Sequence, residues 1–316
     1  MRRKFIPIQI VTWNVARRDA EVLNALKKAS DRIGKVDLVT LQEVRTDVAD
    51  VFRKYLLEKM DFTYVHYDSR LDIPCQNHIN VIASRWPLRA VGLRYPRRKL
   101  PWPQALSEVL LKVDGQSIVL ITAHIPNGRN YGWQKIDAFK VLNKIVGEAK
   151  RRPCIVTGDF NEPQYAIRHG RVLTWGQKEG RFEYCEDSKD DLGRLRTGKE
   201  WDDAVRWLFE KEDEHGLSHA YWEAHGPGSM SVSHSTTNSR KRWFDHIFVS
   251  RKFFRVRACK YFHQLRRAGL SDHSALSAKL MFDCRVGRRG ANDSSGYRSQ
   301  TFAHDCSTNR RIGDIE

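Results

Sequence analysis

The 316-residue sequence lacks any hydrophobic run of the roughly 20 residues that a membrane-spanning helix needs. In its N-terminal stretch apolar residues alternate with polar ones, so a signal peptide is not expected either. The six cysteines are widely scattered, with no C-x-x-C pair and no zinc-ligand spacing, a pattern that predicts reduced thiols. Together these absences predict a protein of the cytoplasm or nucleoid.

Acidic residues are too few to balance the basic ones. The chain has 55 Lys and Arg against 38 Asp and Glu, which gives a formal net charge of +17 at pH 7. An excess of this size favours polyanionic partners, such as nucleic acid, an anionic membrane surface or phosphorylated substrates. General solubility is the alternative explanation.

Three basic clusters interleave with aromatic residues, at 94–102, 240–243 and 251–255. Such mixtures suit phosphate neutralisation combined with base stacking. Arg97 and Arg98 of the first cluster are predicted to bind substrate. The predicted partner is therefore nucleic acid, whereas each cluster taken alone is equally compatible with a solvated loop. Nothing in the pattern indicates an oligomeric state.

Short apolar runs rich in β-branched residues alternate with helical patterns through the first 282 residues. The runs predict strands at 5–13, 36–41, 79–83, 106–113, 117–123, 154–156, 243–249 and 275–280. This alternation predicts an α/β fold, either as one catalytic domain at 1–282 or as two similar strand-rich halves at 1–150 and 151–282. Residues 162–242 are more polar and glycine-rich, and loops around one helix are expected there. Residues 283–316 have no apolar periodicity, and a polar, disordered tail is expected.

Polar side chains follow most of these predicted strands. The apolar run at 154–156, for example, leads directly into Gly158-Asp159-Phe160-Asn161. Because α/β folds place their chemistry at strand ends, we expect these side chains to converge. The set consists of Asn14, Glu43, His124 with Asn127, Asp159 with Asn161, Asp245, and Asp272 with His273.

The residue types in this set suit phosphoester cleavage. Carboxylate and amide oxygens are the ligands that Mg²⁺ prefers, and Mg²⁺ leaves coordination positions for water and phosphate. A histidine can stabilise charge on the pentacovalent phosphate, and an acid such as Asp245 can fix its tautomer. Structural roles remain open for some members: Asn127 also fits a Pro-Asn-Gly turn. His246 should point away from the site, because it follows Asp245 on a strand.

Five motifs occur in a fixed order along the chain: Trp13-Asn14, Leu41-Gln42-Glu43, Gly158-Asp159-Phe160-Asn161, Phe244-Asp245-His246-Ile247-Phe248 and Ser271-Asp272-His273. This series resembles that of the endonuclease/exonuclease/phosphatase superfamily, over about residues 5–282. The resemblance implies a DNase I-like, four-layer α/β sandwich, in which two mixed sheets pack face to face with helices outside. It also implies Mg²⁺- or Mn²⁺-dependent hydrolysis of phosphodiesters or phosphomonoesters.

The resemblance also implies metal-binding roles for three residues. Glu43 matches the main metal carboxylate, and Asn14 and Asp272 match positions near the metal.

The catalytic roles implied by the resemblance fall on the remaining residues. Asp159 would orient or deprotonate the attacking water, and Asn161 would hold that water or the phosphate. His273 would contact the scissile phosphate with Asp245 behind it, and His124 is a further predicted catalytic residue.

The stretch from Ile125-Pro126-Asn127-Gly128 to Phe139 is similar to the exonuclease III and abasic-site endonuclease branch. That branch normally has Tyr at the position of His124, whereas His is usual in the DNase I-like, tyrosyl-DNA phosphodiesterase-like and sphingomyelinase-like branches. The predicted function is a divalent-metal-dependent nuclease that acts on DNA. A phosphodiesterase or phosphatase for a small or lipid substrate, and a non-catalytic binding module, remain the alternatives.

Overall fold

The computed structural model describes residues 4–67, 77–91, 100, 102–178, 183–235 and 241–284. These residues form two six-stranded mixed sheets. The first sheet has the spatial order β15 (Phe254–Phe262), β16 (Ala275–Asp283), β1 (Phe5–Asn14), β2 (Leu38–Arg45), β4 (His78–Ser84) and β3 (Tyr64–Tyr67). The second has the order β13 (Leu217–His219), β14 (Asp245–Ser250), β8 (Cys154–Asp159), β7 (Gln116–His124), β6 (Leu106–Val113) and β5 (Leu88–Ala90).

Helices cover the outer faces of both sheets. They are α1 (Val22–Asp31), α2 (Ala49–Glu58), α3 (Gly128–Tyr131), α4 (Gln134–Ala149), α5 (Gly198–Glu210), α6 (Glu212–His215), α7 (Ala220–His225) and α8 (His263–Arg267). Helix α4 buries Ile136, Phe139 and Leu142, which recur at the spacing that predicts an amphipathic helix. Helices α1 and α2 pack on the outside of the first sheet, around Trp13 and Phe52. The expected four-layer α/β sandwich is thus confirmed.

The two sheets meet in a core that is mainly apolar but carries polar bridges. Thr40 Oγ1 on β2 lies 2.9 Å from Thr157 Oγ1 on β8. Gln42 Nε2 donates to Thr122 Oγ1 on β7 at 2.9 Å. Since buried polar groups need partners, these bonds restrict how the sheets slide over each other. They lie next to the strand ends that carry the candidate site.

Two parallel strand pairs bring the predicted polar residues together. Strand β1 pairs with β2 in parallel, and β7 pairs with β8 in parallel. Helices connect the strands of each pair: α1 lies between β1 and β2, and α3 and α4 lie between β7 and β8. Parallel strands end at the same edge of a sheet, so the residues that follow them become neighbours.

Residues 162–242 contain more regular structure than the sequence indicated. Besides α5 they include α6, α7, β13 and two hairpins, formed by β9 (Tyr165–Ile167) with β10 (Arg171–Leu173) and by β11 (Ser188–Lys189) with β12 (Leu195–Arg196). The expectation of loops was therefore wrong for much of this stretch. Its strands are two or three residues long, too short for a visible alternation of apolar residues.

At the C-terminal end of the domain, β16 runs to Asp283. Cys284 is buried, and its Sγ lies 3.3 Å from the carbonyl oxygen of Lys4. The polar tail expected from 283 onward otherwise falls outside the described residues, as do Arg97 and Arg98. Among the described residues, no helix is long and apolar enough to cross a membrane.

Candidate active site

Three adjacent strands of the second sheet place three predicted site residues side by side. Asp159 at the end of β8 is in register with His124 at the end of β7. On its other side, Asp159 is in register with Asp245 at the beginning of β14. His246 points to the opposite face, where its ring bonds to His219 and to the carbonyl oxygen of Glu162. That structural role was the one predicted for it.

The first sheet contributes the carboxylate of Glu43 from an irregular position. The pairing of β2 with β4 shifts register between Leu41 and Val44, and Glu43 has a φ of 55°. Such a bulge re-aims a side chain that a regular strand would direct elsewhere. The result is a hydrogen bond of 3.2 Å between Glu43 Oε1 and Asn14 Nδ2, at the end of β1.

Asp159 lies at the centre of the site. Its Oδ2 accepts a hydrogen bond from Asn14 Nδ2 at 2.9 Å. The same oxygen lies 3.6 Å from His273 Nε2 and 4.0 Å from His124 Nε2. Its Oδ1 accepts from the backbone N–H of Asn161 at 2.9 Å. Four of the predicted residues therefore surround one buried carboxylate.

Burial raises the pKa of Asp159, and the charge of Asp245 raises it further, whereas His273 and His124 oppose the shift. A carboxylate with a raised pKa is a stronger base than an ordinary Asp, as long as it remains ionised at the working pH. The two neighbouring histidines oppose this rise in the pKa of Asp159, because a cationic imidazole beside a carboxylate favours its ionised form.

Asp245 holds His273 from behind. His273 Nδ1 lies 2.9 Å and 3.1 Å from the two carboxylate oxygens of Asp245, which is completely buried. Burial by itself lowers the pKa of His273, but the charges of Asp245 and Asp159 outweigh it and raise the pKa to about 10. The structure thus presents a cationic imidazole whose Nε2 faces the centre of the site.

His124 forms a second histidine–carboxylate pair. Its Nε2 lies 3.2 Å from Glu43 Oε1. Burial lowers the pKa of His124, but the hydrogen bond and charge of Glu43 dominate and raise it. Burial alone would raise the pKa of Glu43, but the bond to His124 and the hydrogen bond from Asn14 lower it well below its usual range. Arg17 Nε, 3.3 Å from Glu43 Oε2, adds a half-exposed cation on the outer side.

Asp272 is brought next to His234, a residue that the sequence did not single out. His234 Nε2 lies 3.4 Å from Asp272 Oδ2, and the His234 ring lies 4.6 Å from the His273 ring. Burial raises the pKa of Asp272, but the bond to His234 dominates and lowers it. Among the described residues, three groups have ligand atoms close enough to hold a metal ion: Glu43–His124–Asp159, Asp159–Asp245–His273 and His234–Asp272–His273. The predicted metal residues Glu43 and Asp272 thus belong to different groups.

The predicted substrate residues are less well supported by geometry. Asn127 caps the short helix α3, since its Oδ1 accepts from the N–H of Asn130 at 2.9 Å, and this is a turn-type structural role. The cluster at 251–255 follows the far end of β14, whose six residues put its ends about 17 Å apart. That cluster does not flank the site. In the cluster at 240–243, the guanidinium group of Arg242 lies over the Trp175 ring, 4.6 Å from its centroid.

Two aromatic rings that the sequence analysis did not assign to the site pack against His124. The His124 ring lies 5.4 Å from that of His78 and 5.9 Å from that of Trp102. Burial lowers the pKa of His78 to about 4, so it is neutral at physiological pH. The only sequence feature that pointed to Trp102 as a site residue was the basic cluster that precedes it. His234 had no such feature, because it lies in a polar stretch without periodicity.

Two mixed sheets packed face to face, with carboxylates, amides and histidines gathered at one edge, define a DNase I-like α/β sandwich with a hydrolase-type site. The chain belongs to the endonuclease/exonuclease/phosphatase family, whose sequence model matches residues 11–273. Members of this family are metal-dependent phosphoester hydrolases. A search of curated proteins found no match.

Solved structures similar to this chain include several that act on nucleic acid. An AP endonuclease from Archaeoglobus fulgidus is 17% identical with a TM-score of 0.57, covering 86% of this chain and 98% of that one. TDP2 from D. rerio, complexed with a single-strand DNA product, is 14% identical with a TM-score of 0.56, covering 87% and 98%. The 3′ phosphatase NExo from Neisseria, bound to a product DNA hairpin, is 20% identical with a TM-score of 0.55, covering 86% and 98%. At these identities the likeness shows the fold alone.

Proposed function

We propose that this protein is a divalent-metal-dependent nuclease that hydrolyses phosphodiester bonds in DNA. One observation carries the proposal: a buried carboxylate, Asp159, and a cationic imidazole, His273, stand 3.6 Å apart, held by Asn14 and Asp245 respectively. A base and a cation at adjoining positions are what water attack on a phosphodiester requires.

The residues present fit a divalent cation. Glu43 and Asp272 are the most exposed of the four site carboxylates, with side chains 20% and 38% exposed, against 2% for Asp159 and none for Asp245. Hard oxygen donors with access to solvent suit Mg²⁺ or Mn²⁺, which retain water and phosphate as ligands. Glu43 would be the main ligand of the ion, with Asn14 and Asp272 near it, and Asn14 keeps the Glu43 carboxylate in place. A bound cation supplies the charge that neutralises the phosphate and the leaving oxygen.

Asp159 acts on the attacking water. It takes one proton as the water oxygen forms its bond to phosphorus, the bond from phosphorus to the leaving oxygen breaks, and solvent protonates that oxygen. The backbone N–H of Asn161 holds Oδ1 of Asp159, which leaves Oδ2 to face the water. Asn161 Nδ2 lies 3.4 Å from the same Oδ2, a position from which it can also contact water or phosphate.

The two histidines stabilise negative charge on the phosphate. His273 donates from Nε2 while Asp245 keeps Nδ1 protonated. His124, paired with Glu43, places a second positive charge near Asp159. Because both cations are already in position, little reorganisation is needed when charge develops in the transition state.

A nucleic-acid substrate is supported by the charge of the whole molecule. The net charge of +17 favours a polyanion, and the similar TDP2 and NExo structures hold DNA. Arg97 and Arg98 would contact flanking phosphates, and Asn127 Nδ2 is free of its capping role and would donate to the backbone of the substrate.

The test is to incubate purified protein and Mg²⁺ with end-labelled single-stranded, double-stranded and abasic DNA, with RNA, and with a chromogenic phosphodiester. We expect cleavage of DNA that EDTA abolishes. Cleavage of the chromogenic ester alone would point to a small-molecule or lipid phosphodiesterase, and inactivity on every substrate would favour a binding module.

Glu43→Gln keeps the shape of the side chain but removes the charge that offsets the metal, so we expect kcat to fall at least about 1,000-fold while the thermal melt stays close to that of the wild type. Glu58→Gln, an exposed change at the end of α2, is the matched control and should leave turnover unchanged. Full activity of Glu43→Gln would contradict the proposed role.

A further inference from the structure

Behind the site, α4 and the loop after β8 share an ion pair that is completely buried. Lys135 Nζ lies 3.0 Å from Glu162 Oε1, and the two side chains are 1% and 0% exposed. Burial lowers the pKa of Lys135 and raises the pKa of Glu162, since both charges have lost water. Ion pairs of this kind add little stability, because the cost of desolvation can exceed the Coulombic gain.

The pair bonds directly to the loop that carries Asn161. Lys135 Nζ donates to the carbonyl oxygen of Asn161 at 2.7 Å. Asn161 has a φ of 51°, a left-handed conformation that is uncommon for a non-glycine residue. This conformation allows its N–H to reach Asp159 Oδ1 and its Nδ2 to reach the carbonyl oxygen of Ile125. One buried ammonium group therefore restrains the residue that orients the central carboxylate.

Trp201 connects the Lys135–Glu162 pair to the loop that carries Asn127. Its Nε1 donates to Glu162 Oε1 at 2.7 Å. Its ring packs so closely on Gly128, the residue after Asn127, that a Cβ at Gly128 would lie 2.6 Å from the ring. The Lys135–Glu162–Trp201 unit thus supports the loops of Asn127 and Asn161 from one side.

We propose that Lys135 and Glu162 are positioning residues for the hydrolysis, which hold Asn161 so that its N–H fixes the carboxylate of Asp159. The proposal rests on the proposed function for its kinetic consequences, but the restraint on Asn161 is independent of it. If the ion pair serves to position Asn161, replacing both of its residues should leave stability unchanged but should lower turnover.

The main test is the charge-neutral double variant Lys135→Met with Glu162→Gln, which keeps an acceptor oxygen for Trp201. We expect a melting temperature within about 5 °C of the wild type. We expect kcat to fall about 10- to 100-fold with KM within about twofold, because misplacement affects the transition state more than ground-state binding. The single change Lys135→Met would leave Glu162 buried and unpaired, so it is not used.

The matched control is Lys140→Met with Glu200→Gln. This second Lys–Glu pair also starts from α4, but it joins α4 to α5 and is partly exposed to solvent. It should leave kcat unchanged. An equal fall in kcat in both double variants would overturn the proposal, because it would show a general effect of loosening α4.

A double-mutant cycle distinguishes positioning from a general structural role. If the pair acts by letting the backbone N–H of Asn161 fix the carboxylate of Asp159, its replacement should cost little further activity in an Asp159→Ala background, where no carboxylate remains to be fixed. The same 10- to 100-fold loss in that background would overturn the proposal.

A last measurement does not depend on activity. Amide hydrogen exchange at Asn161 should rise at least about tenfold in the Lys135→Met, Glu162→Gln variant, because the N–H loses its fixed acceptor. If the wild type hydrolyses no phosphodiester, the proposed function fails and this measurement alone decides the positioning role. Unchanged exchange at Asn161 would refute it.

Discussion

At the scale of single residues, the site depends on how each charge is supported. The cationic form of His273 is favoured by Asp245, which is buried behind it and accepts from its Nδ1, and by the charge of Asp159. The motif Ser271-Asp272-His273 made His273 a candidate, and the resemblance implied Asp245 as its partner. The distance of 2.9 Å shows the pairing, but the roles of both residues in hydrolysis remain predictions.

The pKa of His273, raised from 6.5 to about 10, predicts a pH dependence of stability. A group whose pKa is raised by folding contributes its full stabilisation below pH 6.5 and loses it as the pH rises toward 10. Unfolding free energy from urea titrations should therefore decline between pH 6.5 and 10. On the alkaline side, kcat should fall near pH 10, because His273 loses its proton there.

Asp245→Asn is expected to move that alkaline fall in kcat to lower pH, since the amide cannot stabilise the imidazolium. The decline in stability should still begin near pH 6.5 in the variant, but it should end at a lower pH and be smaller in total. An unshifted kcat profile would show that His273 does not act as a cation in the reaction.

At the scale of elements, the local pattern predicted the buried strands well and the strands at the sheet edges poorly. Strand β15 places Arg255, Arg257 and Lys260 on its exposed positions, so its sequence looks like a basic loop. Charged side chains are expected on a sheet edge, where they discourage pairing with other chains. Because such residues interrupt the apolar alternation, the element cannot be recognised without its partner β16.

The contact between β7 and β8 provides a sharp test of the fold. Gly158 has a φ of 134°, and a Cβ there would lie 1.9 Å from the carbonyl oxygen of Ala123. Gly158→Ala should therefore destabilise the domain by about 3 kcal/mol or more, since both the backbone conformation and the strand pairing are incompatible with a methyl group.

Gly147→Ala is the matched control. It lies on the exposed side of α4, where a Cβ would meet only the Trp207 ring at 3.9 Å. We expect it to stabilise the domain by about 0.5–1 kcal/mol through helix propensity. Urea unfolding of the two variants measures both values, and similar stabilities would contradict the role assigned to Gly158.

At the scale of the whole molecule, the basic charge is not all placed at the site. The cluster at 251–255 follows the end of β14 that is remote from Asp245. The other two clusters are only partly within the described residues, and there Arg242 packs between Trp175 and Tyr165. A comparison of clusters can therefore separate site-directed binding from general attraction to a polyanion.

Arg97→Glu with Arg98→Glu is expected to flatten the salt dependence of oligonucleotide binding. Each lost phosphate contact lowers the slope of log Kd against log salt by about 0.7–0.9, so the pair should lower it by about 1.4–1.8. Binding is measured by fluorescence anisotropy in EDTA. Hydrolysis of a chromogenic phosphodiester should stay unchanged, since these residues contribute no transition-state contact.

Lys252→Glu with Arg255→Glu makes the same charge change at the remote end and should leave the slope nearly unchanged. An equal effect of both double variants would mean that long-range attraction, and no defined contact, governs binding. No effect of Arg97→Glu with Arg98→Glu would identify the first cluster as a solvated loop.

The amino-acid sequence by itself determined the family, the buried strands and the residue types of the site. Side-chain chemistry and apolar periodicity are local properties, and Asn14, Glu43, Asp159, Asp245 and His273 are recognisable from short motifs. The tertiary structure alone decided which of them meet. It placed Asp272 with His234, the 251–255 cluster at the remote end, and Lys135 under Asn161. The physical reason is that such contacts depend on strand register and helix packing between distant segments, which no local pattern encodes.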